Sequence, residues 1–107
     1  MDLTVELVWR AEALTDASYR VFLHLVGPDG QLVAQSDAIP GRWTRPTTGW
    51  LPGEYIVDVH ELSVPPDAPQ GRHVLLTGMY GTDGDRLVSP DGSDAVRLAE
   101  IDLESDG

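Results

Sequence analysis

Leu3, Val5, Leu7 and Trp9 alternate with Thr4, Glu6, Val8 and Arg10, and this spacing of two constrains the fold more than any other feature of the chain. A pleated strand turns successive side chains to opposite faces, so the large apolar groups fall together; at helical spacing they would scatter. Residues 19–26 set Tyr19, Val21, Leu23 and Leu25 against Arg20, Phe22, His24 and Val26, apolar on both faces except at Arg20 and His24. That is the pattern of a strand central in its sheet. In residues 53–62, Tyr55, Val57 and Val59 face one way and Ile56, Asp58, His60 and Leu62 the other. Residues 72–80 set Val74, Leu76, Gly78 and Tyr80 opposite His73, Leu75, Thr77 and Met79. In residues 95–103, Val96 and Leu98 share one parity and Ile101 and Leu103 the other, which predicts a bulge or strand end near Glu100.

Turn residues between these runs leave no room for ordinary helices. Pro28-Asp29-Gly30 supplies a fixed φ and then a residue free to take φ > 0, so residues 32–37 are expected to return antiparallel to residues 19–26. Pro40-Gly41, Pro52-Gly53, the stretch from Pro65 to Gly71, Thr82-Asp83-Gly84-Asp85 and Ser89-Pro90-Asp91-Gly92 punctuate the rest. The turn at 82–85 predicts a short strand at 86–89. The whole reads as an all-β, immunoglobulin-like two-sheet antiparallel sandwich of about seven strands. Residues 1–103 form one domain, and 104–107 are expected to be a frayed acidic tail. Residues 38–52 lack strand periodicity; irregular segments of that length are functional or disordered, and Trp43 and Trp50 argue for order.

Charge narrows the function. Seven Arg and no Lys stand against eighteen Asp and Glu, for a net −11. Scattered Arg do not make the cationic patch that phosphate backbones or anionic membranes require, so no nucleic-acid partner is expected. Without Lys there is no P-loop lysine and no Schiff base; without Cys there is no disulfide, thiolate metal site or cysteine nucleophile. No run approaches the roughly eighteen apolar residues that cross a bilayer, and Met1-Asp2-Leu3-Thr4 lacks a secretion signal's basic and apolar regions. Direct membrane insertion of this chain is therefore not expected.

Several constellations have the residue types that chemistry needs. Ser, His and Asp occur without a nucleophile-elbow signature, so no catalytic residue is assigned and the domain itself is not expected to be an enzyme. Asp58 and His60 share one strand face, and His24 on a neighbouring strand would complete a zinc-like set; the competing reading is a solvated face or a cross-strand pair. Asp83, Asp85, Asp91 and Asp94 crowd two turns and could hold calcium, yet Asp-Gly is also the commonest way to build a turn. Asp58, His60, Asp83 and Asp85 thus remain weak metal candidates, and no cofactor is expected. Arg42, Trp43, Arg45 and Trp50 form the candidate ligand site, an aromatic platform for sugar stacking. Trp9, by parity, and Trp50, at the start of a strand, are expected to be core; Trp43 sits among polar, Gly and Pro residues.

The runs from Tyr19 to Gly30, Gln35-Ser36-Asp37, Trp50-Leu51-Pro52-Gly53-Glu54, Asp58-Val59-His60, Pro65 to Gly71 and Gly78-Met79-Tyr80 carry a further signal. They resemble the soluble C-terminal β-sandwich region of bacterial multi-spanning membrane glycosyltransferases of the mannosyltransferase-like type. The resemblance spans about Leu3 to Leu98. It implies a non-catalytic accessory or interaction domain on the extracytoplasmic side, attached to or derived from a sugar-transferring enzyme whose catalytic acids lie elsewhere. The alternative is a glycan-binding module using residues 38–52. The expected partner is accordingly another protein domain or a glycan.

Overall fold

In the computed structural model, which describes residues 1–104, the chain forms six strands: β1 (Asp2–Arg10), β2 (Arg20–Val26), β3 (Leu32–Ala38), β4 (Tyr55–Ser63), β5 (Gly71–Tyr80) and β6 (Val96–Leu103). A short 3₁₀ turn at Thr47–Gly49 is the one helical element among the described residues. β1 and β4 pair as one antiparallel sheet, and β3-β2-β5-β6 form the other. That order matches the inner pair of one immunoglobulin-type sheet and the four neighbouring strands of its partner. The all-β two-sheet sandwich inferred from periodicity is the fold.

Parity explains the core. Val21, Leu23 and Leu25 of β2 are fully buried, and Leu23 and Leu25 pack with Ala34, Leu62, Val64 and Leu75 across the two layers. A second cluster of Ala11, Trp50 and Ile56, with Trp9 and Met79 against it, closes the other end. β2 lies between β3 and β5, in keeping with its apolar faces. At the β2–β3 hairpin Gly30 takes φ 83° and donates to the Gly27 carbonyl at 3.0 Å, while Gln31 N–H donates to Asp29 Oδ1.

Two expectations change. Residues 86–89 do not make a seventh strand: Arg86 makes an isolated bridge with Tyr80, and Leu87 N–H donates once to the Met79 carbonyl. Beyond it Pro90 and the Asp91 side chain, which accepts from the Ser93 amide, bend the chain into another turn. The parity slip in β6 lies at Leu98, since Leu75 faces Ala99 while Leu76 faces Arg97; Ile101 and Leu103 regain the core face and Val96 and Leu98 stay exposed. Glu104 is exposed, and the rest of the expected frayed tail lies outside the described residues.

The segment between β5 and β6 covers the outer face of the four-stranded sheet at one point, where Arg86 sits 4.3 Å above the Phe22 ring. Gly78 opposite makes this possible. A Cβ there would lie 2.5 Å from two Phe22 ring carbons and 2.9 Å from the Asp94 carbonyl oxygen. Gly to Ala in a strand is ordinarily favourable by about 0.5–1 kcal/mol, but Gly78→Ala is expected to destabilise by about 1–3 kcal/mol through overpacking. Urea denaturation checks the sign.

Candidate functional site

β4 carries an unusual inward row: Ile56, Asp58, His60 and Leu62, of which Asp58 is 0% and His60 3% exposed. The polar residues therefore point into the sandwich, while Tyr55 and Val57 on the apolar parity face solvent. This corrects the expectation of a solvated face. Ile56 and Leu62 belong to the two apolar clusters and fix the strand's facing, and the polar pair between them finds partners inside. Ser36 Oγ lies 2.8 Å from His60 Nδ1, and His60 Nε2 lies 2.8 Å from Asp58 Oδ2. Asp58 also accepts from the Trp9 indole N–H at 3.1 Å and from the Gly41 amide at 3.0 Å. With the Ser36 hydroxyl donating to Nδ1 and Nε2–H donating to the carboxylate, every polar atom of this network is used.

Burial pushes the Asp58 carboxyl up, but the bonds from His60, Gly41 and Trp9 and the proximity of the His60 ring outweigh it and hold Asp58 below its ordinary value. The connectivity hydroxyl–imidazole–carboxylate is that of nucleophilic catalysis. Here the carboxylate is also the anchor of a loop. Ser36 was not distinguished by sequence reasoning; the available signal was its parity with Ala34 and Ala38 on the inward face of β3.

The anchored loop is strained. Gly41, Arg42 and Trp43 take φ of 69°, 56° and 69° in succession, and for side-chain-bearing residues this left-handed conformation costs about 1–2 kcal/mol each. Such strain persists only where the surroundings over-determine it. Gly41 N–H is held by buried Asp58, Trp43 N–H by the Ile39 carbonyl and Arg45 N–H by the Pro40 carbonyl. Further along, Thr47 is buried, donating to the Ala17 carbonyl at 2.7 Å and accepting from the Tyr19 amide at 3.0 Å. Trp50 is buried and donates its indole N–H to the Arg45 carbonyl at 2.9 Å.

The four residues of the candidate platform therefore separate. Trp43 is 55% exposed, whereas Trp50 is core. Arg42 leads away to Glu61 at 3.5 Å, and Arg45 pairs with Glu54. The Leu51 amide, then Arg45, hold the Glu54 carboxyl below its ordinary value. It is Arg20, from β2, whose guanidinium lies 5.2 Å over the Trp43 ring. Arg20 also borders a cleft of about 370 Å³ shared with Ile39, Tyr80 and Thr82. Tyr80 donates its hydroxyl to Asp37 Oδ2 at 3.0 Å, and burial together with that carboxylate pushes the phenol up.

Comparison with protein-family models, curated proteins and solved structures found no match. Among the described residues no group of three or more His, Cys, Asp and Glu side chains is gathered as for a metal ion. His24 lies on the opposite parity of β2 from the core, its ring 4.8 Å from Phe22, so it is separated from Asp58 and His60. Asp83 Oδ1 accepts from the Asp85 amide at 3.0 Å, and Asp94 lies 3.5 Å from Arg86. These acids are occupied in turns and pairs.

Proposed function

We propose that this chain is a non-catalytic accessory module that works by binding, attached to or derived from a membrane sugar-transferring enzyme and placed on the extracytoplasmic side. The observation that supports it is the engagement of Asp58: the carboxylate of the hydroxyl–imidazole–carboxylate relay is fully enclosed and bonded to Trp9 and Gly41 as well as to His60. It spends its charge on holding a loop in a strained, solvent-facing shape. Purified chain assayed on activated esters, peptides and glycosides is expected to give no turnover; hydrolysis that Ser36→Ala abolishes would overturn the reading. Attachment is tested at the genomic locus, where these residues are expected to share a reading frame with membrane-spanning helices.

The exposure of Trp43 favours a second reading, a glycan-binding module. A ring with one face under Arg20, which itself borders a cleft lined by Ser18, Tyr80 and Thr82, has the aromatic and hydrogen-bonding parts a sugar needs. Trp43→Ala is expected to weaken glycan binding at least about tenfold, equivalent to ~1.4 kcal/mol, and to leave stability within about 1 kcal/mol. Calorimetric titration against a glycan panel checks it, with undiminished binding by the variant the contrary result.

A further inference from the structure

β1 is an open edge. Met1 and Val64 exchange backbone bonds of 3.1 and 2.8 Å, and the Ala11 amide donates to the Glu54 carbonyl at 2.9 Å. Between those points the register runs unbroken from Asp2 opposite Ser63 to Arg10 opposite Tyr55. Bonded and unbonded pairs alternate along an antiparallel ladder, so the odd residues of β1 bond to β4. Asp2, Thr4, Glu6, Val8 and Arg10 then turn their N–H and C=O groups the other way, where no strand of the described residues lies.

The edges of the larger sheet are blunted. β3 and β6 each carry a register break, which twists and blunts an edge; β4, the other edge of the two-stranded sheet, has no groove of this kind beside it among the described residues. β1 has nine residues, no proline and no bulge. At its first residues a groove of about 680 Å³ opens between β1 and β6, walled by Met1 and Leu3, by Val64, Ala68 and the prolines of the β4–β5 connection, and by Ile101 and Leu103. In an immunoglobulin-type sandwich a further strand occupies the position beside this one.

Charge says what kind of segment fits. The ionisable side chains lining the groove are Glu104 and Asp102, the latter paired with Arg72 at 3.4 Å, and the outer parity of β1 carries Asp2 and Glu6 at the groove end with Arg10 at the far end. A second copy of the chain would bring another net −11 against the first.

We propose that the groove between β1 and β6 receives an extended segment of a separate protein, added antiparallel to β1 as an extra strand. Its apolar side chains, at alternate positions, fill the groove, and Arg or Lys between them meet the acidic rim. The main chain supplies affinity and the alternation specificity. This names the partner of the interaction module and rests on that reading.

The test titrates a labelled nine-residue peptide of alternating Val and Arg into the full chain, read by fluorescence anisotropy and amide chemical shifts. Saturable binding is expected, with the largest shifts in β1 and at Ile101 and Leu103, weakening as salt rises. A peptide with Glu in place of Arg is expected to bind at least about tenfold more weakly. Thr4→Pro deletes an edge N–H at a position where proline is tolerated, and is expected to reduce binding at least about tenfold with the circular dichroism spectrum retained. Should that variant fail to fold, Glu6→Arg, an exposed charge reversal, is expected to weaken binding several-fold. Absence of saturable binding, shifts centred on residues 39–46, or a dimer that Thr4→Pro dissolves would each overturn the proposal. Failure here leaves the module reading standing on Trp43 and Asp58, whereas turnover dependent on Ser36 removes that reading without touching the peptide titration.

Discussion

Asp58→Ala is expected to cost about 3–5 kcal/mol, the largest effect of any substitution outside the apolar core. The carboxylate is 0% exposed and is the acceptor for His60, Trp9 and Gly41. Its removal leaves buried donors without partners, each worth about 1–3 kcal/mol when orphaned, and opens a cavity between the two apolar clusters. Urea denaturation near neutral pH measures it; a cost below about 1 kcal/mol would show that the network holds nothing in place. The pH dependence follows from the same bonds. Because the folded Asp58 carboxyl is held below its ordinary value, its contribution is complete above the unfolded carboxylate pKa of about 3.9. It is lost as pH falls through the lower folded value. Wild type is therefore expected to lose stability in that acid window, and Asp58→Ala to show a shallower dependence.

Leu23→Ala is expected to cost about 2–5 kcal/mol. Leu23 is 0% exposed, sits on the central strand opposite Ser36 on one side and Thr77 on the other, and packs within the cluster formed by Leu25, Leu62 and Leu75. The neighbours sit on paired strands, so they collapse only partly into the space. Arg42→Ala is the control: its side chain is 63% exposed and its pair with Glu61 is a surface one, worth about 0–1 kcal/mol. Equal losses from the two substitutions would mean that the assignment of inner and outer faces is wrong.

The inner face of β2 and the hairpin at Gly30 were legible because every cue agreed: apolar parity, β-branched and aromatic content, and a turn whose residues suit its backbone. Asp58 and His60 were not legible as buried residues. Polarity along β4 argues for solvent on that side, and the partners that reverse the argument come from β3, from Trp9 and from a loop amide, none of them near in sequence. The same non-local dependence separates Trp43 from Trp50. Both stand in one irregular segment, but Trp50 finds the Arg45 carbonyl and the Ile56 cluster, while Trp43 is turned outward by the left-handed run from Gly41. Residues 86–89 had strand composition without a neighbour to pair with beyond Arg86, which is a property of the sheet rather than of the segment.

Hydrogen exchange at the Gly41 amide tests most directly the claim that a core carboxylate sets the shape of the exposed Trp43 loop. Gly41 lies outside every strand, and its N–H has Asp58 Oδ1 as acceptor. The account predicts that this amide exchanges as slowly as those of β2, together with the Trp9 indole, and that Asp58→Asn accelerates both. Exchange of Gly41 in wild type as rapid as that of an exposed turn amide such as Gly92 would contradict it.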